Sequence, residues 1–401
     1  MLGGRHSSAL ASFLATLLSL GAAMAARPAP LATRPAGNGT CQSRVESFGY
    51  KCEEHTVTTA DGYILSLQRI PGGRGSGQSP AAGTKIPVLL QHGLLMDGVT
   101  WLMNSPNESL GYILADGGYD VWIANTRGTV YSRGHTTLSS SDPAYWDWSW
   151  DELASNDVSA VVQYVYAQSG QQRLHYVGHS LGTLIAFAAL SQHQQLGMLR
   201  SAGLLSPIAY LNKVASPLAL AGADTFLAEA LYWLGLDEFD PTGLFPLDLY
   251  HRASLSFAGA GDNCCLDNSS VQVFLAHEPQ ASATKNMVHL AQSHDPTRDA
   301  CKYDYGNAAD NTKHYGQATP PAYDVSAIPD DFPLFLSYGG RDTLSDQQDV
   351  SHLLQVLKSH DGDKLTVQYL EDYAHADFVF AGNARERVYA PLMAFFKLQD
   401  K

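Results

Sequence analysis

Ser180 lies in the stretch YVGHSLGTL (residues 176–184), where Gly178 and Gly182 flank it at a spacing of two residues. The apolar segment RLHYV leads into this stretch, and the Ala- and Leu-rich segment LIAFAAL follows the serine. A strand that turns sharply into a helix needs very small residues around the turn. Such a turn exposes the hydroxyl and points the N–H groups of the helix at developing negative charge. The pattern therefore predicts that Ser180 is a nucleophile.

A serine hydroxyl is a weak nucleophile unless a base takes its proton, and the base in turn needs an orienting acid. Asp342 follows an apolar segment in YGGRDTLSD, and His375 follows the next one in LEDYAHADF. The residues between them leave room for one helix and one strand, so both side chains should reach the same sheet edge as Ser180. We predict that His375 is the base and that Asp342 orients it.

Three other acids lie close enough in sequence to compete with Asp342. Asp346 is the main alternative, although its position favours capping of the helix that follows. Asp372 and Asp377 are only a few residues from His375, which makes it difficult for their side chains to turn back to the ring.

Acyl transfer also needs hydrogen-bond donors for the oxyanion of the tetrahedral intermediate. The backbone N–H of Leu181, directly after the nucleophile, is the first predicted donor, and the backbone N–H of Leu94, after the segment VLLQHG, is the second. His92 and Gly93 are interpreted as loop-forming residues. His179 is interpreted as a packed neighbour of the serine, with a role as a second base as the alternative.

Apolar segments alternate with helical patterns through most of the chain, which predicts an α/β fold with a parallel sheet covered on both faces. Two strands should flank a turn at Asp61 and Gly62. The pattern becomes helical after Ser206 and returns to strand and helix near residue 321. We therefore predict a core in two parts, 41–206 and 321–401, with a helical cap over 207–320 at the ligand-binding edge.

The cap contains a long apolar helical segment at residues 218–236 with few charges. An ordinary surface helix would have a more polar face. Two interpretations stay open: an internal helix of the cap, or a lid that opens where its inner face meets lipid.

Composition excludes several classes of partner. The chain has 401 residues, is 45% hydrophobic and has a formal net charge of −14 without a block of basic residues. Such a chain is a poor candidate for binding nucleic acid or anionic membrane surfaces. After the N-terminal segment, nothing is apolar and long enough to predict a transmembrane span. The oligomeric state stays open.

The N-terminus has the features of a secretory signal peptide. Arg5 precedes an apolar run at residues 9–20, and Ala23 and Ala25 end it with small side chains. We predict cleavage of residues 1–25, with an uncleaved anchor as the alternative, and a disordered stretch over 26–40. Three glycosylation sequons agree with the secretory pathway and an extracellular, vacuolar or lysosomal destination: Asn38, Asn107 and Asn268.

The chain contains five cysteines. Cys41 and Cys52 are close together and far from the others, so we predict that they form a disulfide. One further bridge is expected among Cys264, Cys265 and Cys301, with the pairing open. The sequence contains no C-x-x-C pair, the spacing typical of structural zinc sites, so we expect no metal.

Two further motifs carry a structural and a functional interpretation. The three tryptophans of AYWDWSWDE either pack in the core, which we favour, or line an acyl pocket. The loop NTRGTVYSRGH is expected to be held by hydrogen bonds of Arg127.

Several segments together resemble the acid lipase family of gastric and lysosomal lipases, and most of all its plant triacylglycerol lipases. They are HGLLMDGVTWLMN, ANTRGTVYSRGH, YWDWSWDE, GHSLG, KNMVHLAQSHD, YDYGN and GGRDTLSDQQDV, in order over residues 41–399. The resemblance implies an α/β-hydrolase fold with a helical cap and lid. It also implies a Ser180, Asp342 and His375 triad with oxyanion donors at Leu94 and Leu181. Animal members commonly have Gln after the serine, where this chain has Leu181.

These observations predict a serine hydrolase that cleaves lipid esters at a lipid–water interface through an acyl-enzyme, without a metal or organic cofactor. Triacylglycerol is the expected substrate. The alternatives are a steryl-ester or wax-ester hydrolase, a lipid transacylase, and an inactive lipid-binding protein on the same scaffold.

Overall fold

The structure is a computed structural model that describes residues 39–75, 84–170, 172–214, 235–241, 263–266, 268–294 and 300–400. The predicted signal peptide (1–25), nearly all of the stretch predicted to be disordered (26–40), the sequon at Asn38 and most of the apolar segment 218–236 lie outside the described residues. Within the described ranges, no helix combines the length and the apolar character needed to cross a bilayer.

The strands of the described residues are β1 Glu53–Thr58, β2 Tyr63–Ile70, β3 Pro87–Gln91, β4 Asp120–Ala124, β5 Gly134–His135, β6 Leu174–His179, β7 Leu199–Leu205, β8 Glu238–Phe239, β9 Ser282–Ala283, β10 Leu334–Gly339 and β11 Leu365–Leu370. Nine of them form one sheet in the order β1-β2-β4-β3-β6-β7-β10-β11, with β5 paired to β2. The pairs from β4 through β11 are parallel, whereas β1, β2 and β5 pair antiparallel.

The α-helices of the same ranges are α1 Leu110–Asp116, α2 Trp150–Glu152, α3 Val158–Gln168, α4 Leu181–Ser191, α5 Asn268–His277, α6 Thr284–Gln292, α7 Ala308–Tyr315, α8 Gln347–Val356, α9 Asp377–Phe380 and α10 Ala390–Gln399. A π-helical turn at Leu153–Asp157 joins α2 to α3.

The central strands β3, β4 and β6 consist mainly of apolar residues, with polar or charged residues at Gln91, Asp120, His175 and His179. All residues of β3, β4 and β6 are buried, as expected for parallel strands that have helices on both faces. The predicted turn at Asp61 and Gly62 joins β1 to β2, and Gly62 has a φ of 96° that favours glycine.

A capping box begins α2, and α3 continues from it through the π-helical turn. The Ser149 side chain accepts a hydrogen bond from the N–H of Asp151, and Glu152 accepts one from the N–H of Ser149. The inward face of α3 consists of valines at a helical spacing: Val158, Val161, Val162 and Val165.

Strand β7 was missed by the sequence analysis. Its residues LRSAGLL include Arg200 and Ser201, which interrupt the apolar pattern. Ser201 is nevertheless buried, because its hydroxyl lies 2.7 Å from Nδ1 of His175 on the neighbouring strand. A polar pair across two strands leaves no local pattern in either sequence.

The residues between β7 and β10, here called the insertion, contribute no strand to the main sheet among those described. Their described part contains α5, α6 and α7 and the small β8–β9 pair. Lys285 of α6 attaches the insertion to the core, since its Nζ lies 2.7 Å from Oδ1 of Asp147. On the same helix, His289 stacks on Trp150 with ring centroids 4.2 Å apart.

The tryptophan motif packs in the core, and the loop after β4 is held by Arg127. Trp146, Trp148 and Trp150 are buried in the hydrophobic core, as favoured from the sequence. Arg127 is 1% exposed, and its guanidinium donates hydrogen bonds to the carboxylates of Asp61 and Asp157. A buried cation needs such partners, so these contacts hold the loop after β4.

Cys41 and Cys52 form a disulfide, as predicted. A second disulfide joins the adjacent residues Cys264 and Cys265. Cys301 takes part in neither bridge, and its carbonyl accepts a hydrogen bond from the His289 ring. The sequence had left this pairing open.

Replacement of both Cys41 and Cys52 by Ala should lower the free energy of unfolding by about 3 kcal/mol, because the open chain then gains loop entropy when it unfolds. The loop that the disulfide closes lies far in sequence from Ser180, so activity at 25 °C should be retained. Denaturant unfolding of the purified variant and parent measures the difference. A loss below about 1 kcal/mol would mean that the unfolded loop is already restricted.

Candidate active site

Ser180 occupies the turn between β6 and α4 with a φ of 54°, a left-handed conformation that is rare for a residue with a side chain. The turn is closely packed. A Cβ atom on Gly178 would lie 2.6 Å from the carbonyl oxygen of Gly182, and one on Gly182 would lie 2.6 Å from the carbonyl oxygen of Gln91. Backbone atoms cannot move aside as a flexible side chain can, so both positions require glycine.

Neighbouring side chains hold this turn in place. The Tyr176 hydroxyl donates a hydrogen bond of 2.6 Å to the carbonyl oxygen of Gly182. The Thr183 hydroxyl donates one of 2.6 Å to the carbonyl oxygen of Ser180 and accepts one of 2.7 Å from the N–H of Ile208. Neither Tyr176 nor Thr183 has a sequence pattern that predicts this role, since both are typical strand and helix residues.

Asp342 and His375 meet at the carboxyl edge of the sheet. Asp342 follows β10 and His375 follows β11, and Nδ1 of His375 lies 3.0 and 2.9 Å from the two carboxylate oxygens. Both residues are buried, at 4% exposure each. Such a pair fixes the ring orientation and leaves Nε2 as the nitrogen that can exchange a proton with a nucleophile.

The surroundings of Asp342 stabilise its charged form. Besides the histidine, it accepts hydrogen bonds of 2.9 and 2.8 Å from the N–H groups of Leu344 and Ser345. Burial by itself raises the pKa of Asp342, but the His375 ring and the two N–H groups together outweigh it, so the pKa lies below its usual value. Asp342 is therefore a carboxylate whenever the protein is folded near neutral pH.

His375 is joined through its backbone to the strand that leads into Ser180. Its carbonyl oxygen accepts a hydrogen bond of 3.0 Å from Nε2 of His179, the residue that precedes Ser180. Its own Nε2 is buried and has no hydrogen-bond partner among the described residues. A base that waits for a substrate or a nucleophile is expected to have such an open nitrogen.

The three competing acids are engaged elsewhere. Asp346 caps α8 by accepting a hydrogen bond of 2.8 Å from the N–H of Gln348. Asp372 pairs with Arg387 through two contacts of 2.7 and 2.8 Å. Asp377 accepts from the N–H of Ala374 and of Cys264, and so fastens the 263–266 segment to the loop that carries His375.

Two backbone regions adjoin the nucleophile. Leu181 is the first residue of α4, so its N–H has no acceptor within the helix. The loop after β3 approaches from the other side, since a Cβ atom on Gly93 would lie 3.1 Å from Cβ of Ser180. Leu94 is the next residue in that loop. The geometry is compatible with N–H donors from both regions.

The comparisons with known proteins agree with this architecture. Residues 41–105 match the family model described as a partial alpha/beta-hydrolase lipase region, and residues 86–231 match the alpha/beta hydrolase fold. The chain is 49% identical to Triacylglycerol lipase 2 of Arabidopsis thaliana, over 91% of this chain and 89% of that protein. It is 34% identical to gastric triacylglycerol lipase of Rattus norvegicus, over 90% and 92%.

The chain belongs to the acid lipase family. The predicted resemblance and the α/β-hydrolase fold are therefore confirmed, and membership places the chain among carboxylic ester hydrolases. Among solved structures, an esterase from Exiguobacterium antarcticum superposes with a TM-score of 0.53 at 14% identity, over 86% of this chain and all of that one (100%). A bacterial membrane phospholipase A superposes with a TM-score of 0.52 at 15% identity, over 88% of each chain. These two likenesses concern the fold alone.

In this acid lipase chain, two histidines beside the catalytic candidates are neutral. Burial lowers the pKa of His179 to about 3 and that of His92 to about 4. His92 donates from Nδ1 to the carbonyl oxygen of Gly93, and its Nε2 accepts from the N–H of Thr126. His179 uses Nε2 to hold His375. The interpretation of His179 as a packed neighbour fits this geometry better than a second base.

The remaining predicted sites lie outside this edge of the sheet. Asn107 is exposed, and the predicted glycosylation there stays a prediction. In the sequon at Asn268, the Ser270 hydroxyl is buried and donates to the side-chain oxygen of Asn104. Among the residues that the structure describes, no group of three or more His, Cys, Asp or Glu side chains is placed to hold a metal ion.

Stability should fall as the pH drops below 6.5, because the unfolded chain protonates His92 and His179 there and the folded protein does not. Folded pKa values of about 4 and 3 lie below the unfolded value, so the stabilisation is complete above pH 6.5 and is lost progressively towards pH 4. Each histidine contributes a slope of about 1.4 kcal/mol per pH unit. Denaturant unfolding at pH 7.5, 6 and 5 measures it.

The variant His92→Gln keeps an acceptor for Thr126 and removes one titrating group. Between pH 6.5 and 4, the slope of its unfolding free energy against pH should be lower than the parent's by the contribution of one proton, about 1.4 kcal/mol per pH unit. An unchanged slope would show that His92 is protonated in the folded protein.

Proposed function

We propose that this chain hydrolyses triacylglycerols, with Ser180 as nucleophile, His375 as base and Asp342 as the orienting acid. One observation carries the proposal: the hydrogen-bonded His375–Asp342 pair lies at the sheet edge where Ser180 occupies a left-handed strand–helix turn. The identity to a plant protein named Triacylglycerol lipase 2 supports the choice of substrate.

The reaction follows from the arrangement of these groups. Oγ of Ser180 attacks the ester carbonyl carbon while Nε2 of His375 takes its proton. The tetrahedral intermediate collapses, the C–O bond to the alcohol breaks, and the leaving alkoxide takes the proton from His375. Water then attacks the acyl-enzyme with His375 again as base, which releases the fatty acid and restores the Ser180 hydroxyl.

In this proposal the backbone N–H groups of Leu181 and Leu94 donate hydrogen bonds to the oxyanion of the tetrahedral intermediate. Backbone donors keep their positions whatever the side chain, so the leucines at these positions are free to contact acyl chains. The neutral state of His179 favours His375 as the base, because a second positive charge beside His375 would oppose the imidazolium that forms during the reaction.

We also propose that the enzyme acts in the secretory pathway and at a lipid–water interface. Two disulfides fit an oxidising compartment. A signal peptide at residues 1–25, a helical cap over 207–320 and glycosylation at Asn38, Asn107 and Asn268 belong to the same proposal. A lid within the cap would expose its apolar face only where lipid is present.

Ser180→Ala should abolish hydrolysis of emulsified long-chain triacylglycerol, with a loss of at least about 10⁴-fold in kcat. The side chain is small and its contacts are few, so the variant should unfold at the parent's denaturant concentration. Fatty-acid release from emulsions and from dissolved short-chain esters measures activity.

The parent's rate should rise sharply above the solubility limit of the long-chain substrate.

A fluorophosphonate probe provides the independent measurement. It should label the parent at Ser180 and leave the Ala variant unlabelled. Turnover in the purified Ala variant, or labelling of another residue, would contradict the assignment of the nucleophile. A parent that hydrolyses steryl or wax esters and not triacylglycerols would contradict only the substrate.

Asp342→Asn should lower kcat by about 10⁴-fold, because the amide favours the wrong tautomer of His375. Asp346→Asn is the matched control, since the amide oxygen still caps α8. It should retain nearly full activity. Comparable losses in both variants, or the larger loss at Asp346, would contradict the choice of Asp342 as the acid.

A further inference from the structure

The loop that follows β3 contains a second residue in a left-handed conformation. Leu95 has a φ of 57° and is 9% exposed. A bulky residue adopts this conformation only where surrounding contacts impose it. Leu95 directly follows Leu94, so its backbone conformation fixes the path of the chain next to the residue that carries the proposed oxyanion donor.

The contacts that impose it come from the insertion. The N–H of Gln280 donates a hydrogen bond of 2.7 Å to the carbonyl oxygen of Leu95. The Gln280 side chain donates one of 2.9 Å from Nε2 to Oδ2 of Asp97. Glu278, two residues earlier, accepts a hydrogen bond of 3.0 Å at Oε1 from the N–H of Asp97. The insertion thus holds both ends of the Leu95–Asp97 segment.

The Gln280 amide also connects this segment to the loop after β4. Its Oε1 accepts a hydrogen bond of 2.9 Å from the N–H of Val130, while its Nε2 donates to Asp97. Gln280 is 4% exposed and Asp97 is fully buried, at 0%. Hydrogen bonds in such a dry location hold their geometry tightly, because water cannot replace a lost partner.

We propose that Gln280 is a positioning residue for ester hydrolysis: it holds the Leu95–Asp97 segment so that the N–H of Leu94 points at the oxyanion. This inference rests on the proposed function. Oxyanion donors act only within a narrow range of distance from the charge that develops in the transition state. A loop that relaxes by an ångström therefore lowers the rate while ground-state binding of the substrate is kept.

The experiment reverses the polarity of the Gln280–Asp97 hydrogen bond. Gln280→Glu places two carboxylates face to face, and Asp97→Asn places two amide N–H groups face to face. The double variant restores one hydrogen bond, now donated by the residue at 97 to the residue at 280. Each single variant should lower kcat by about 10²-fold with little change in KM. The double variant should recover part of the loss, because a carboxylate at position 280 cannot replace the hydrogen bond that Gln280 Nε2 also donates to the carbonyl oxygen of His277.

A second variant guards against failure to fold. Gln280→Met keeps the length of the side chain and removes the amide without adding charge. It should show the same loss in kcat, the same KM and a slower reaction with a fluorophosphonate, whose addition also develops negative charge on oxygen. Its unfolding midpoint identifies any loss that comes from instability instead.

Gln292→Glu is the matched control. The Gln292 amide donates a hydrogen bond of 2.8 Å to the carbonyl oxygen of Asp304 and accepts one of 2.9 Å from the N–H of Asp304. These contacts join two parts of the insertion and do not involve the loop after β3. The control should keep the parent's kcat. A normal kcat in Gln280→Met, a rise in KM instead of a fall in kcat, or no recovery in the double variant would overturn the inference.

The Ser180→Ala variant separates the two proposals. If it is inactive and the Gln280 variants are normal, the positioning role is wrong and the proposed function stands. If it stays active, the proposed function is wrong, and the effect of Gln280 on kcat must then act on a different nucleophile.

Discussion

The left-handed backbone of Ser180 is the constraint on which the site depends. A residue with a side chain in this conformation costs about 1–3 kcal/mol, and it persists only where its neighbours impose it. Here the neighbours are the Gln91 and Gly182 carbonyl groups, which leave no space for a Cβ atom at Gly182 or Gly178. The strand and helix on either side are buried along their whole length, so the core provides the energy that holds the turn.

The parallel sheet explains why distant residues meet at this turn. Strands β3, β6, β10 and β11 run in the same direction, so the loops that follow them emerge at one edge. Those loops carry Leu94, Ser180, Asp342 and His375. The Asp342 carboxylate accepts hydrogen bonds from two backbone N–H groups of its own loop, which fix the orientation in which it meets the histidine.

The insertion contributes to the same edge in two ways. Lys285 and His289 attach it to Asp147 and Trp150 of the core. Glu278 and Gln280, just before these anchors, contact the loop after β3. A movement of the insertion would therefore reach the loop after β3 through buried hydrogen bonds. This arrangement gives a physical route by which the insertion can influence the loop after β3.

Local patterns in the sequence were enough for the alternating strands and helices, the turn at Ser180, the positions of Asp342 and His375 after successive strands, and the Cys41–Cys52 pair. Each depends on periodicity, on small residues beside a turn or on short separation, which neighbouring residues encode. The sequence did not reveal β7, the pairing of Cys264 with Cys265, or the contact of Gln280 with Asp97 across 183 residues. Those features depend on which buried polar groups the packed chain brings together, and only the tertiary structure decides that.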